Sequence, residues 1–313
     1  MIDRSAIALC HQVFRERFSH FIIQTPLLKL PGRTLDLPCR EVWLKLEHLQ
    51  TSGSFKARGM LNRLLAHPLP EAGVIVASGG NAGIATAAAA RELGVRCEVF
   101  VPEVCPAAKR DRLAALGAVV VVAGAHYADA LQACMARQQE TGALLAHAYD
   151  QPEVLTGAGT IGLEIEEQGG LPDSVLVSVG GGGLIGGIAS WFASRSRVIA
   201  LEPELAPTLH TARAMGQPVD VAVSGVAADS LGARRIGDWG FRAARAHVSD
   251  SLLLTDESIS QAQRSLWKSL RLAVEPAAAL PLAALQSGRY SPRPDEAVCL
   301  VICGANFSPA VLD

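Results

Sequence analysis

No stretch of about 18 apolar residues runs through this chain without charges or turn signals, so nothing in it reads as a membrane-spanning helix. Its start, Met1-Ile2-Asp3-Arg4, lacks the charged-then-apolar plan of a secretion signal. Internal repeats are missing, and the only low-complexity tract is the alanine run at 87–90, which suits a helix. No block of one charge stands out either. The 28 Lys and Arg and 30 Asp and Glu leave a net charge of -2 scattered along the sequence, so the electrostatic footprint of a nucleic-acid or anionic-membrane binder is absent. Cys10, Cys39, Cys97, Cys105, Cys134, Cys299 and Cys303 are odd in number and nowhere spaced C-x-x-C. That argues against a disulfide framework and a zinc site, and it points to a reducing cytoplasm. Small molecules are the expected partners, without nucleic acid or membrane.

What is present is a large apolar fraction, half of 313 residues, enough to bury a sizeable core in two domains. Ile7, Cys10, Val13, Phe14 and Phe18 share one face of a first helix, with Asp3 or Ser5 as its cap. Residues 25–28 read as an extended turn, 30–39 as a loop or hairpin, and the central sheet as beginning at Val42. From there short β-rich runs at 74–77, 97–101 and 119–123 alternate with helical stretches at 83–93, 107–116 and 127–141. A crossing point at 149–152 and a helix over 154–167 lead to a second set. Its strands are expected at 174–179, 198–201, 252–254 and 298–302, and its helices at 184–194, 259–272 and 277–286. Such alternation predicts an α/β fold of two parallel-sheet domains, helices on both faces, and a cleft between them.

Three stretches carry chemistry. Lys56 follows the turn Thr51-Ser52-Gly53 and stands in the first turn of a helix whose apolar positions are Phe55, Met60, Leu61, Leu64 and Leu65. The helix dipole and burial both favour its neutral amine, a usable nucleophile or base. Ser78-Gly79-Gly80-Asn81 follows a strand and opens a helix, so its backbone N–H groups suit a carboxylate. Gly180-Gly181-Gly182-Gly183-Leu184 follows the buried-looking strand Val175-Leu176-Val177, and its successive amides can wrap closely round phosphate oxygens. A rival use exists for that loop. Gly181, Gly183 and Gly186 satisfy G-x-G-x-x-G, with Glu202 ending the next strand where a dinucleotide site places its ribose-binding acid. A nicotinamide-dependent dehydrogenase is therefore the alternative, although it gives Lys56 and the turn at 78–83 no joint task.

Taken together and in this order, Ser54-Phe55-Lys56, Ser78-Gly79-Gly80-Asn81, the glycines 180–183 and Cys303-Gly304-Ala305-Asn306 resemble the fold-type II pyridoxal phosphate enzymes, specifically the serine/threonine dehydratases. The resemblance spans about 25–306. It implies a tryptophan synthase β-like fold, with a large cofactor-binding domain of residues 1–70 and 148–313 and a small domain, 71–147, inserted in it. It implies that Lys56 holds pyridoxal 5'-phosphate as a Schiff base and acts as catalytic base. Phe55 would pack beside it, Asn81 would bond the ring hydroxyl, and Gly180, Gly181, Gly182, Gly183 and Leu184 would cradle the phosphate. Cys303 would face the pyridine nitrogen, while Ser78, Gly79, Gly80 and Asn81 would receive the substrate carboxylate.

The implied reaction is dehydration and deamination of L-serine, L-threonine or a related 3-hydroxy amino acid to the 2-oxo acid and ammonia, and relatives suggest a homodimer. The implied acid for the departing hydroxyl is the cofactor phosphate. A serine racemase of the same family is the nearer alternative, but Gly79 stands where the racemases carry a serine as second base. The racemases' divalent cation is held at positions matching Glu202, Ala206 and Thr208. Losing the acidic third ligand weakens a hard-cation site, and no metal is expected. Glu275 before Pro276 reads first as an acid suited to a helix start, with a place near the cofactor as the lesser alternative. His48, His126 and His147 lack metal spacing, and Arg234 with Arg235 reads as a solvated face.

Overall fold

The structure, a computed structural model, describes residues 2–308. In chain order its strands are β1 (Leu27–Pro31), β2 (Glu41–Lys45), β3 (Val74–Ala77), β4 (Cys97–Val101), β5 (Val119–Val122), β6 (Leu144–Leu145), β7 (Ser174–Ser178), β8 (Arg197–Pro203), β9 (Val248–Leu254) and β10 (Ala297–Val301). They form two sheets. One has the order β1-β2-β10-β7-β8-β9 and the other β5-β4-β3-β6. Every pairing is parallel except β1 with β2, where Leu27 lies opposite Lys45 and Pro31 opposite Glu41.

The central sheet thus starts at Leu27, earlier than Val42. β1 is an edge strand closed by prolines at 26 and 31, and proline is tolerated at an edge because no ladder N–H is needed there. The strands at the sheet centres, such as β3, β7 and β10, are buried along their whole length, as strands covered on both faces must be.

Eleven helices of the described residues cover these sheets. They are α1 (Arg4–Arg17), α2 (Lys56–Leu65), α3 (Asn81–Glu92), α4 (Ala107–Ala115), α5 (Tyr127–Thr141), α6 (Pro152–Gly169), α7 (Gly183–Phe192), α8 (Thr208–Met215), α9 (Asp238–His247), α10 (Asp256–Leu270) and α11 (Pro276–Gln286). Asp3 caps α1 by accepting from the Ala6 N–H at 2.8 Å. α2 buries Met60, Leu61 and Leu64 in one core with Val74, Val76 and Val99 of the smaller sheet. The larger sheet has its own core, in which Leu44, Val177, Ile199 and Leu300 meet Ile185, Ile188 and Leu280 of the covering helices. No described helix is long and apolar enough to cross a membrane.

A charged cluster lies inside this packing. Arg58 is fully buried and donates to Glu47 (2.8 Å from Nε and from Nη2) and to Glu164 (2.7 Å from Nη1, 2.9 Å from Nη2). Lys45, also fully buried, donates to Glu164 at 2.6 Å and to the Thr25 carbonyl at 2.7 Å. Two cations and two carboxylates so balance one another, as burial of charge demands. The cluster ties the helix that starts at Lys56 to β2 and α6.

Candidate active site

Lys56 is the first residue of α2, and a short antiparallel contact sets its place. Ser54 bridges Gly304, and the Phe55 N–H donates to the Cys303 carbonyl at 3.0 Å, so Lys56 emerges beside the end of β10. Its amine donates to the Ala148 carbonyl at 2.6 Å and lies 5.1 Å from the centre of the Phe55 ring. Burial lowers the amine to a pKa of about 8, against the opposing pull of Glu275. Burial likewise drives the Cys303 thiol well above its ordinary value, so it is neutral.

Residues 180–183 leave the carboxyl end of β7 and turn into α7. Gly182 has φ +94°, open to glycine without strain, and a Cβ there would stand 2.8 Å from Ile236. The first backbone bond of α7 runs from the Gly186 N–H to the Gly182 carbonyl at 2.9 Å, which leaves the amides of Gly183, Leu184 and Ile185 at the open, positive end of the helix. The turn at 78–81 repeats this plan on the other sheet. The first bond of α3 joins the Ile84 N–H to the Gly80 carbonyl at 3.1 Å, and Ser78 Oγ accepts from the Gly80 N–H at 3.2 Å.

Phe55, Lys56, Asn81, residues 180–184 and Cys303 all line one cavity, together with Tyr149, Ser230 and Glu275. Gly79 and Gly80 line a second, larger cavity of about 460 Å³, which opens past Lys109 and Arg112 of α4 and shares Asn81, Ser230 and Glu275 with the first. Ser78 lines neither. Gly79 is backed by small-sheet side chains, with Cys105 Sγ 2.8 Å from where a Cβ on Gly79 would stand.

Glu275 is more than an acid at a helix start. It is 3% exposed, receives Asn81 Nδ2 at 3.0 and 3.1 Å and the Asn306 N–H at 3.3 Å, and burial raises its pKa to about 7. The signal available in the sequence was Glu-Pro at the start of an apolar helix, and it says nothing of which cavity the carboxyl faces. Asn306 lines the larger cavity and Tyr149 the smaller one.

Glu202 takes a different part from the one a dinucleotide needs. It is fully buried and accepts from the Leu209 and His210 N–H groups, each at 2.7 Å, closing the start of α8, with Thr208 Oγ1 3.0 Å away. Burial raises its pKa to about 7. A carboxyl occupied in this way is not offered to a ribose.

Comparison with known proteins gives a consistent picture. Residues 18–304 match the family described as pyridoxal-phosphate dependent enzyme. The chain is 38% identical over 273 residues to an L-threonine ammonia-lyase of Geobacter sulfurreducens, covering 85% of this chain and 67% of that protein. Among solved structures it superposes on a threonine deaminase from T.th. with a TM-score of 0.89 and 34% identity, covering 98% and 99% of the two chains. Maize serine racemase gives a TM-score of 0.91 at 26% identity, with 99% and 95% covered.

Proposed function

Because this chain belongs to the family of pyridoxal-phosphate dependent enzymes, we propose that it is an ammonia-lyase that dehydrates and deaminates L-threonine, L-serine or a related 3-hydroxy amino acid. The observation that carries this reading is one cavity wall holding the Lys56 amine, the side-chain-free loop 180–183 and the neutral Cys303 thiol. These residues fit the cofactor. The open amides at 183–185 suit a phosphate, the amine suits an aldehyde, and a Cβ at Gly181 would stand 2.2 Å from the Tyr149 ring, in space the loop keeps clear. When bound, pyridoxal phosphate supplies an aldehyde that takes the substrate amine and a ring that accepts the electrons of the Cα–H bond.

The chain's own residues would do the rest. The Ser78-Gly79-Gly80-Asn81 turn and the start of α3 hold the carboxylate, which fixes the Cα–H bond relative to Lys56. Lys56 takes the α-proton as a neutral amine, which its lowered pKa makes available near neutral pH. The β-hydroxyl leaves as water on a proton that the cofactor phosphate would supply, and hydrolysis of the remaining enamine yields ammonia and the 2-oxo acid. A neutral thiol at Cys303 does not hold a pyridine nitrogen protonated, which favours prompt loss of the β-group. Gly79 offers no acid to the opposite α-face, so racemisation is slow beside elimination. Relatives named for L-threonine support threonine first, and L-serine differs from it by one methyl group. Residues 71–147 would form the smaller of the two units. A cytoplasmic homodimer completes the reading, its compartment resting on the cysteine pattern and its assembly on the family resemblance.

The test is direct. Purified protein should carry a yellow cofactor bleached by borohydride and should release ammonia and 2-oxobutyrate from L-threonine, and Lys56→Ala should keep the fold and release neither. Ammonia release retained by that variant would sink the assignment.

A further inference from the structure

The side chain at position 81 is an amide with chemically opposite ends, and its surroundings decide which end faces which neighbour. The Ser52 carbonyl can only accept, so the Asn306 atom 2.9 Å from it is the amide nitrogen Nδ2. That nitrogen also donates to Asn81 Oδ1 at 2.5 Å, which leaves Asn81 Nδ2 facing Glu275, 3.0 Å from Oε1 and 3.1 Å from Oε2. Glu275 is 3% exposed and also accepts the Asn306 N–H at 3.3 Å. Turning the Asn81 amide over would set its NH2 against the NH2 of Asn306, and its carbonyl against the ionised Glu275 carboxylate. Either mismatch would forfeit a hydrogen bond among these partly or fully buried groups. The carboxyl requires one N–H of Asn81, shared between its oxygens, and the second remains for the cavity that both residues line.

We propose that Glu275 is a positioning residue, holding the Asn81 amide so that position 81 offers the cofactor cavity an N–H donor and no acceptor, a choice that selects the ionised form of the cofactor's ring hydroxyl. A donor facing an oxygen anion makes a charge-assisted bond, roughly twice as strong as a neutral one. A carbonyl in the same place would hold the hydroxyl protonated. The inference rests on the reading that Lys56 and residues 180–184 hold the cofactor, which Lys56→Ala tests by itself.

The experiment reconstitutes the purified protein with pyridoxal phosphate and reads three quantities: the Kd for the cofactor, the position of its visible absorption band, and the Tm of the cofactor-free protein. Glu275→Leu removes the acceptor and should weaken cofactor binding about tenfold and displace the band. Unchanged Kd and band in this variant overturn the inference. The exchanged pair, Asn81→Asp with Glu275→Gln, is isosteric at both positions. The new amide at position 275 would donate to the new carboxylate at position 81 and accept from the Asn306 N–H, so the pairing survives, yet position 81 then presents an acceptor to the cavity. The expected result is a restored Tm with Kd and band still displaced. Recovery of all three would show that Glu275 only braces the fold, and it would overturn the inference even where Glu275→Leu does not fold.

Discussion

The Lys56 amine donates to the Ala148 carbonyl, 2.6 Å away in the segment that joins β6 to α6. A lysine held there is both tethered and short of water, and burial lowers its pKa from 10.5 to about 8. Below that value the ammonium prevails, and above it the free amine. In cofactor-free protein, labelling of Lys56 by an amine reagent should therefore rise with pH around a midpoint of about 8, far below that of exposed lysines. Glu275 is largely ionised at that pH and favours the ammonium. Glu275→Gln should thus move the midpoint lower. Peptide mass spectrometry across pH gives both numbers, and a midpoint at 10.5, or an upward move in the variant, would contradict the account.

Arg58 sits two residues beyond Lys56 and is the shared partner of Glu47 and Glu164. Arg58→Met fills much of the same volume but leaves Glu47 buried without its cation, and Lys45 alone facing Glu164. Breaking a buried pair from one side costs about 3–5 kcal/mol. Denaturant unfolding should show a loss of that size, and a loss below about 1 kcal/mol would mean that water reaches the cluster.

The motifs were legible because each is a local statement. Glycines at 180–183, after an apolar strand and before a helix, leave the backbone few alternatives, and strands such as β4, β7 and β10 announce themselves by short, largely apolar runs with two valines each. What escaped was relational. Arg58 meets Glu164 across 106 positions and Asn81 meets Glu275 across 194, and no spacing rule reaches that far. α8 and α9 escaped for another reason. They are amphipathic helices of 8 and 10 residues in the stretch 203–247, where no strand stands between them to mark the alternation.

Cys105 stands behind Gly79 and limits what position 79 can carry. A serine there would place a Cβ 2.8 Å from Cys105 Sγ and 3.4 Å from Val101 Cγ1, so the sulfur must move before a hydroxyl can enter the cleft. Gly79→Ser alone should cost about 1–3 kcal/mol by overpacking. Adding Cys105→Ala should return most of it. If position 79 faces the α-carbon, chiral chromatography after partial turnover of L-serine should find D-serine above the unmodified protein only in the double variant. D-serine in quantity from the unmodified protein would mean that another residue protonates the opposite face.

Thr208 links the buried Glu202 to the glycine loop. Thr208 Oγ1 lies 2.7 Å from the Gly180 carbonyl and 3.0 Å from Glu202, and a hydroxyl with one proton serves both only if Glu202 supplies the second bond's proton or the two share in turn. With two backbone N–H donors already on the carboxyl, this arrangement satisfies Glu202 without a cation and braces the glycine loop through Gly180. The Tm of the unmodified protein should accordingly be the same in EDTA and in magnesium or calcium. Thr208→Asp would set a second carboxyl beside the first, two acids that cannot both ionise in a buried place without a counter-charge. That variant should be less stable in EDTA and should gain about 2.7 kcal/mol with the cation at a hundred times its Kd, a shift of several degrees. Stabilisation of the unmodified protein by the same cations would show that Thr208 leaves room for a metal, and the hydrogen-bonded account of Glu202 would fall.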